Sequence, residues 1–438
     1  MTVRRQMRAP WSEQRERPLS YRVSGLAWEQ ACRGVSKTHP VLRSKRESCT
    51  KPTHLGGVKH LRQVAMAGPC LMGYTPGMSD LPTPAPAVAP PDPVEALQVA
   101  YAAMVRRRMV MLAVLAVAIL VSLALDFSVG PSGLSPRHLL HILLHPEAAP
   151  PMERVIVWQI RLPYALMAVC VGAALGLAGA EMQTVLANPL ASPFTLGVSA
   201  AAAFGASLAI VLGWHLPGVG ESWLIATNAF VFAVGSVGLL DVVSHRRHAS
   251  TGTVVLFGIA LVFTFQALVS LIQFVANEDA LQELVFWTMG NLTRTTWPKL
   301  GLLAGVGAVV AVFSFRSAWS LTTLRMGEER AASLGVNVPQ IRRAALLRIS
   351  LLSALAVAFV GIIGFVGLVA PHIARRLLGE DHRFYLPGSM LAGALILSLS
   401  STVARVLAPG VVVPTGIVTA LVGIPFFVAI VLRRQGMS

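Results

Sequence analysis

The sequence predicts an all-α, polytopic membrane protein with about ten transmembrane helices. Three observations carry that prediction. Hydrophobic residues make up 54% of the 438 and charged residues only 13%, too few polar side chains to cover a soluble surface. Apolar runs long enough to cross a hydrocarbon core of about 30 Å recur along the chain. Arginines gather at alternate ends of those runs, the pattern that marks a cytosolic side.

The formal net charge of +16 resembles a nucleic-acid signal until it is located. Residues 1–77 hold 14 of the 36 Lys and Arg against four acidic residues, so they supply +10. Arginines flanking the spans account for the rest, and no nucleic-acid partner is needed. Residues 1–77 have no long apolar run and no h-region with a cleavage site. They read as a basic leader: a disordered cytosolic tail, sequence translated upstream of a start at Met78, or a targeting segment, with the start at Met78 the expectation. Cys32, Cys49 and Cys70 lie in this leader and only Cys170 in the apolar body, which is neither a disulfide framework nor a metal site. Residues 78–108 read as a cytosolic linker, Pro/Ala-rich and extended through SDLPTPAPAVAPPDPVEA.

The membrane domain spans residues 109–434. Arg106–Arg108 precede the first run, Met109–Leu125, and place its start inside. Residues 126–160 form an external segment with a short helix around Arg137–Leu144. A second span covers Leu162–Gln183 and carries Gly172 and Gly176 at the small-xxx-small spacing that permits close helix contact. Asn188-Pro189 closes it in a tight cytosolic loop. Spans follow over Phe194–Leu212, then to Val243 with His245–His248 inside, then over Val254–Val275, leaving at Asn277-Glu278-Asp279. Residues 281–298 are too polar to cross, and Trp287 and Trp297 suggest an interfacial helix. A sixth span runs to Phe315.

From Gln340 to Leu378 an unbroken helix would extend nearly 60 Å at about 1.5 Å per residue, twice the core thickness. Gly361, Gly364, Gly367 and Pro371 mark the expected break. Arginines at both ends (Arg342, Arg343 and Arg348; Arg375, Arg376 and Arg383) put both ends inside. The reading is one full span, a turn near the outer side, and a shorter helix returning from about Pro371 at its N1 position. Spans at Leu386–Val403 and Pro414–Leu432 complete the count, with both termini cytosolic.

Chemistry-bearing motifs are mostly absent. There is no G-x-x-x-x-G-K-[ST], no zinc spacing, and no acidic residue deep in a span apart from Glu181 near a cytosolic end. Carriers powered by ions usually keep such groups in the membrane, so energy should arrive from a partner. The port for that partner is GEERAASLGV, residues 327–336. Glu328 and Glu329 suit a helix start, Arg330 follows them, and Ala331 and Ala332 keep one face thin. After Leu334, Gly335 can close the helix in αL with Val336 packing back. An ordinary interfacial helix is the competing reading. His372 reads as a satisfied helix-start residue. Met167, Met182 and Met289 read as apolar filler.

GEERAASLGV followed by GIIGFVGLVAPHIAR closely resembles the FecCD family of ABC-transporter permeases. Supporting segments are Arg161-Leu162-Pro163, Gly172–Gln183, NPLASPFTLGVS, FWTMGNL and PTGIVTALVGIPFF, in order over residues 110–434. The resemblance implies the ten-helix importer permease fold in a bacterial inner membrane. It implies a homodimer, or a pairing with a similar permease, with the substrate path at the dimer interface. It also implies cytosolic ATP-binding subunits and an extracytoplasmic substrate-binding protein. The cargo it implies is an iron–siderophore, haem or cobalamin, with no catalysis and no cofactor on this chain. Gly327–Val336 matches the family's coupling helix, and Arg161 and Arg405 match arginines that receive acidic residues of the binding protein. Two departures stand out: Tyr164 follows RLP where arginine is common, and Ser401 in SSTVAR replaces the family's frequent Asp. A secondary transporter or channel acting alone is the first alternative. A permease of this architecture for bare metal ions, or an exporter, is the second.

Overall fold

The computed structural model describes residues 93–435 apart from 131–133, 214–219, 247–250 and 409–410. The leader, residues 78–92 of the linker, the Trp214–Gly218 loop, Arg247 and His248 lie outside the described residues.

Helix α1 (Pro93–Ser128) starts earlier than the first apolar run, so residues 93–108 are helical rather than extended. A short α2 follows (Pro136–Leu144), capped by the Ser135 side chain. Helix α3 then runs over Pro151–Val185, eleven residues upstream of the expected start at Leu162. It reaches that length through a π-helical turn, Ile156–Arg161, just before Pro163. Proline has no N–H to continue the i→i−4 ladder, and the Leu162 N–H instead bonds Val157, five residues back. The widened turn carries Arg161 into the protein, where it is buried.

The remaining helices are α4 (Val198–Leu212), α5 (Glu221–Arg246), α6 (Thr251–Val275), α7 (Glu278–Thr288), α8 (Trp297–Arg316), α9 (Ala318–Leu324), α10 (Glu328–Ser333), α11 (Val338–Val360), α12 (Val366–Leu378), α13 (His382–Val406) and α14 (Thr415–Gln435). There is no strand among the described residues. Seven helices are long and apolar enough to cross a membrane, and α4 and α14 are shorter apolar helices. The 13-residue return helix α12, about 20 Å long, brings these helices to ten.

Helices α3 and α13 form the centre, with α12 packed on both and α11 on α3. Their crossing is close because glycine meets glycine. A Cβ on Gly172 would run into the Gly393 carbonyl, and one on Gly393 into the Gly172 carbonyl. In lipid, where apolar surface gains nothing by leaving the solvent, such backbone proximity is the main source of helix affinity.

The break before α12 differs in detail from the sequence reading. Gly361, at φ +75°, ends α11, and the chain turns through residues 361–365 with Gly364 in the turn. Helix α12 begins at Val366, so Gly367 is its second residue and Pro371 its sixth. Pro371 therefore sits inside the helix, not at N1, and His372 is not a helix-start residue. The proline deletes only the bond to the Gly367 carbonyl, and the absent side chain of Gly179 in α3 lets that carbonyl lie against it. The His372 ring stands edge-on to Phe426.

Trp287 also departs from expectation. It is buried in the protein rather than set in the headgroup layer. Trp297 is half-buried and donates its indole N–H to the Trp158 carbonyl at 2.9 Å. Met167 and Met182 are fully buried among apolar neighbours.

Candidate functional site

Charged side chains collect at the two ends of the bundle. α1 and α13 run parallel and show both ends in one pair: Arg108 faces Asp381, while Asp126 faces Arg405. Between them Ser122 bonds Ser398 at 2.8 Å.

At the Asp381 end, α10 hangs from the bundle. Gly327, at φ +112°, starts it and Gly335, at φ +81°, ends it. The Val336 N–H bonds the Ala331 carbonyl at 3.0 Å and the Gly335 N–H that of Ala332 at 3.0 Å, the double closure that αL glycine permits. Glu328, Glu329, Arg330, Ala332, Ser333 and Leu334 are exposed. Ala331 turns inward and is buried, so it is not part of the thin outer face that the sequence suggested. Arg342 of α11 pairs with Glu328.

Beside α10 lies a charged junction. Glu380 pairs with Arg325, just before α10, and stands 3.7 Å from Arg375 of α12. The Arg325 hydrogen bond holds the Glu380 carboxyl below the usual carboxylate range, against the opposing effect of partial burial. Arg375 donates to Gln183 Oε1 and to the Tyr385 hydroxyl, each at 3.1 Å. His382 is fully buried and its ring nitrogens meet Thr184 at 2.8 Å and Thr322 at 3.1 Å.

At the other end, Arg161 and Arg405 are not the exposed charges that docking by surface attraction requires. Arg161 donates to the carbonyls of Phe127 (3.1 Å) and Ser128 (3.3 Å), and Arg405 to that of Val129 (3.0 Å). Carbonyls at a helix C-terminus lack intrahelical donors and carry the negative end of the dipole, so two guanidinium groups suit this place. Arg405 also pairs with fully buried Asp126 and lies 4.5 Å above the Tyr164 ring. Asp126 accepts from Ser401 at 2.9 Å and from Thr402 at 3.1 Å. The carboxylate missing from position 401 of α13 thus arrives from α1, and Tyr164, the other departure, forms the floor. A cavity of about 510 Å³ opens beside this knot, lined by Arg161, Tyr164, Arg405, Thr293 and Thr295 among others.

Sequence reading passed over Asp126 because it ends an apolar run and looks like the start of the external loop. A lone acid directly after Leu125 was the available signal. Glu181 is buried and paired with Arg348, whose Nε lies 3.0 and 3.1 Å from the two carboxylate oxygens. Cys170 is half-buried in α3, and no group of three or more His, Cys, Asp or Glu among the described residues could hold a metal ion.

An all-helical, multiply crossing bundle with an exposed helix slung from one charged end has the form of a membrane transport permease. Comparison with known proteins gives the family. The profile of the FecCD transport family matches residues 114–433, and the chain belongs to that family. It is 35% identical over 280 residues to the hemin transport system permease protein HmuU of Yersinia pestis, covering 64% of this chain and 84% of that one. It is 34% identical over 327 residues to the molybdate import system permease protein MolB of Haemophilus influenzae, covering 73% and 95%. Its fold matches a solved structure named as an inward-facing metal-chelate type ABC transporter, with TM-score 0.65 and 32% identity over 74% of this chain and 99% of that one.

Proposed function

We propose that this chain is the membrane subunit of an ABC importer in a bacterial inner membrane, with both termini cytosolic. It passes an iron chelate of the siderophore type, haem or cobalamin from an external binding protein to the cytosol. Two copies, or this chain and a similar permease, enclose the path. Cytosolic ATP-binding subunits supply the energy, and this chain contributes neither bond chemistry nor a cofactor. The observation that carries the reading is the exposed, glycine-bounded α10 at the arginine-rich end. Its outward residues Glu329, Arg330 and Leu334 give an ATPase a short rigid handle. The paired state of Glu181 supports an external energy source, because a carboxylate already held by Arg348 is poorly placed to carry ions.

Arg161 and Arg405 would meet the binding protein from the rim of the 510 Å³ cavity rather than from an open surface. Carboxylates arriving there find positive charge already engaged with helix-end carbonyls and Asp126, which favours register over strength.

Reconstitution in vesicles with the ATP-binding subunits and binding protein tests the reading. Haem, cobalamin, a ferric siderophore and molybdate are offered separately, with and without ATP. ATP-dependent uptake of one of the first three is expected. Molybdate uptake would redirect the cargo toward the chemistry named for MolB. Uptake by this chain alone would favour a secondary carrier. Glu329→Arg or Leu334→Trp should abolish ATP-driven uptake while membrane insertion persists.

A further inference from the structure

We propose that Glu380 is the positioning residue that carries movement of α10 into the return helix α12. This rests on the importer reading above.

A push on exposed α10 leaves by its two ends. The C-terminal end runs straight into α11, braced by the Glu328–Arg342 pair. The N-terminal end meets a pivot, Gly327, and then Arg325, whose guanidinium is held by Glu380. Glu380 also attracts Arg375, 3.7 Å away, so one carboxylate joins two cations that would otherwise repel each other. From Arg375 the path continues to Gln183 of α3 at 3.1 Å, and Gln183 donates back to the Leu368 carbonyl in the first turn of α12 at 3.3 Å. That turn adjoins the break at residues 361–365.

The two residues after Glu380 anchor the same loop elsewhere. Asp381 holds Arg383 at 2.8 Å and faces Arg108 of α1 at 3.8 Å. Buried His382 joins α3 to α9 through Thr184 and Thr322, and its backbone N–H also bonds Thr322 Oγ1 at 3.1 Å. Exposure separates the roles. The His382 side chain is sealed, so it fixes the fold. The Glu380 side chain is 55% exposed, so removing its charge costs little stability and chiefly breaks the link.

The full chain, with Cys32, Cys49, Cys70 and Cys170 replaced, is spin-labelled at Ser333→Cys in α10 and Leu377→Cys in α12. It is assembled with its ATP-binding subunits in vesicles. The label-to-label distance is measured without nucleotide and after trapping with ATP and vanadate. With Glu380 present, α10 and α12 travel together and the distance stays constant. In Glu380→Gln it changes by more than about 2 Å, the scale of helix shifts in switching proteins, while ATP hydrolysis persists. The conservative variant Glu380→Asp, which keeps a carboxylate between Arg325 and Arg375, restores constancy. A constant distance in Glu380→Gln, or a changing one with Glu380 present, overturns the proposal. A chain that binds no ATP-binding subunit and supports no vanadate-sensitive hydrolysis overturns the importer reading, and this inference with it.

Discussion

Asp126 and Arg405 form a buried ion pair between the C-terminal ends of two parallel-packed helices, the last turn of α1 and the last turn of α13. The side chains are 0% and 5% exposed, so neither charge is solvated and each depends on the other. Ser401 and Thr402 fill the remaining acceptor sites of Asp126, and the Tyr164 ring lies under the guanidinium. The pair fixes where α1 ends relative to the cavity lined by Arg161, Tyr164 and Arg405.

Asp126→Asn should therefore destabilise the chain strongly, by about 3–5 kcal/mol, the range for stranding one member of a buried pair. Removing both charges, as Asp126→Leu with Arg405→Met, should recover much of that loss. Thermal unfolding in detergent measures both. Equal stability of the single variant and the parent would show that water reaches the pair.

Glu181 and Arg348 give a second double-variant comparison, this time with transport as the readout. If the pair is a fixed joint between α3 and α11, Glu181→Gln combined with Arg348→Gln should keep most ATP-driven uptake. Glu181→Gln alone, which leaves Arg348 unpaired, should fare worse. An ion-carrying carboxylate predicts the reverse: loss in both variants.

The α3–α13 crossing can be probed with one methyl group. Gly172→Ala forces the helices apart and should cost about 1–3 kcal/mol or more, as overpacked cores do. Gly301→Ala on α8 has nothing within 4 Å of the new Cβ. It should be neutral or stabilising by up to about 1 kcal/mol, since alanine is the better helix former. Similar melting losses for the two would remove the close crossing as an explanation.

The Glu380 junction has a defined pH response. Its carboxyl is held below its ordinary value in the folded protein. Its contribution is thus fully present above the unfolded carboxylate value of about 4.3 and lost as pH falls through the lower folded value. The stability difference between the parent and Glu380→Gln should stay constant from about pH 8 to pH 5 and shrink only below about pH 4. A difference that grows on acidification would contradict the pairing.

Much of the fold was legible because a bilayer imposes a one-dimensional code. Apolar length fixes a crossing, and arginine position fixes its direction. The GEERAASLGV helix was legible for a similar reason, since its acidic start and glycine close act within ten residues. Errors arose where neighbours distant in the chain decide. Pro371 looked like a helix start, but space against Gly179 lets α12 begin earlier. Trp287 looked interfacial, but its face of α7 turns into the protein.

The sequence by itself determined that the chain is a helical membrane protein, roughly where each crossing lies, and that a short acidic helix projects beside the seventh. Only the tertiary structure decided how the charges are used. Arg161 and Arg405 cap the end of α1, Asp126 stands in for the acid absent at Ser401, and Glu380 joins Arg325 to Arg375. The reason is physical: hydropathy is a property of contiguous residues, whereas a buried charge is set by whichever opposite charge the packing brings within reach.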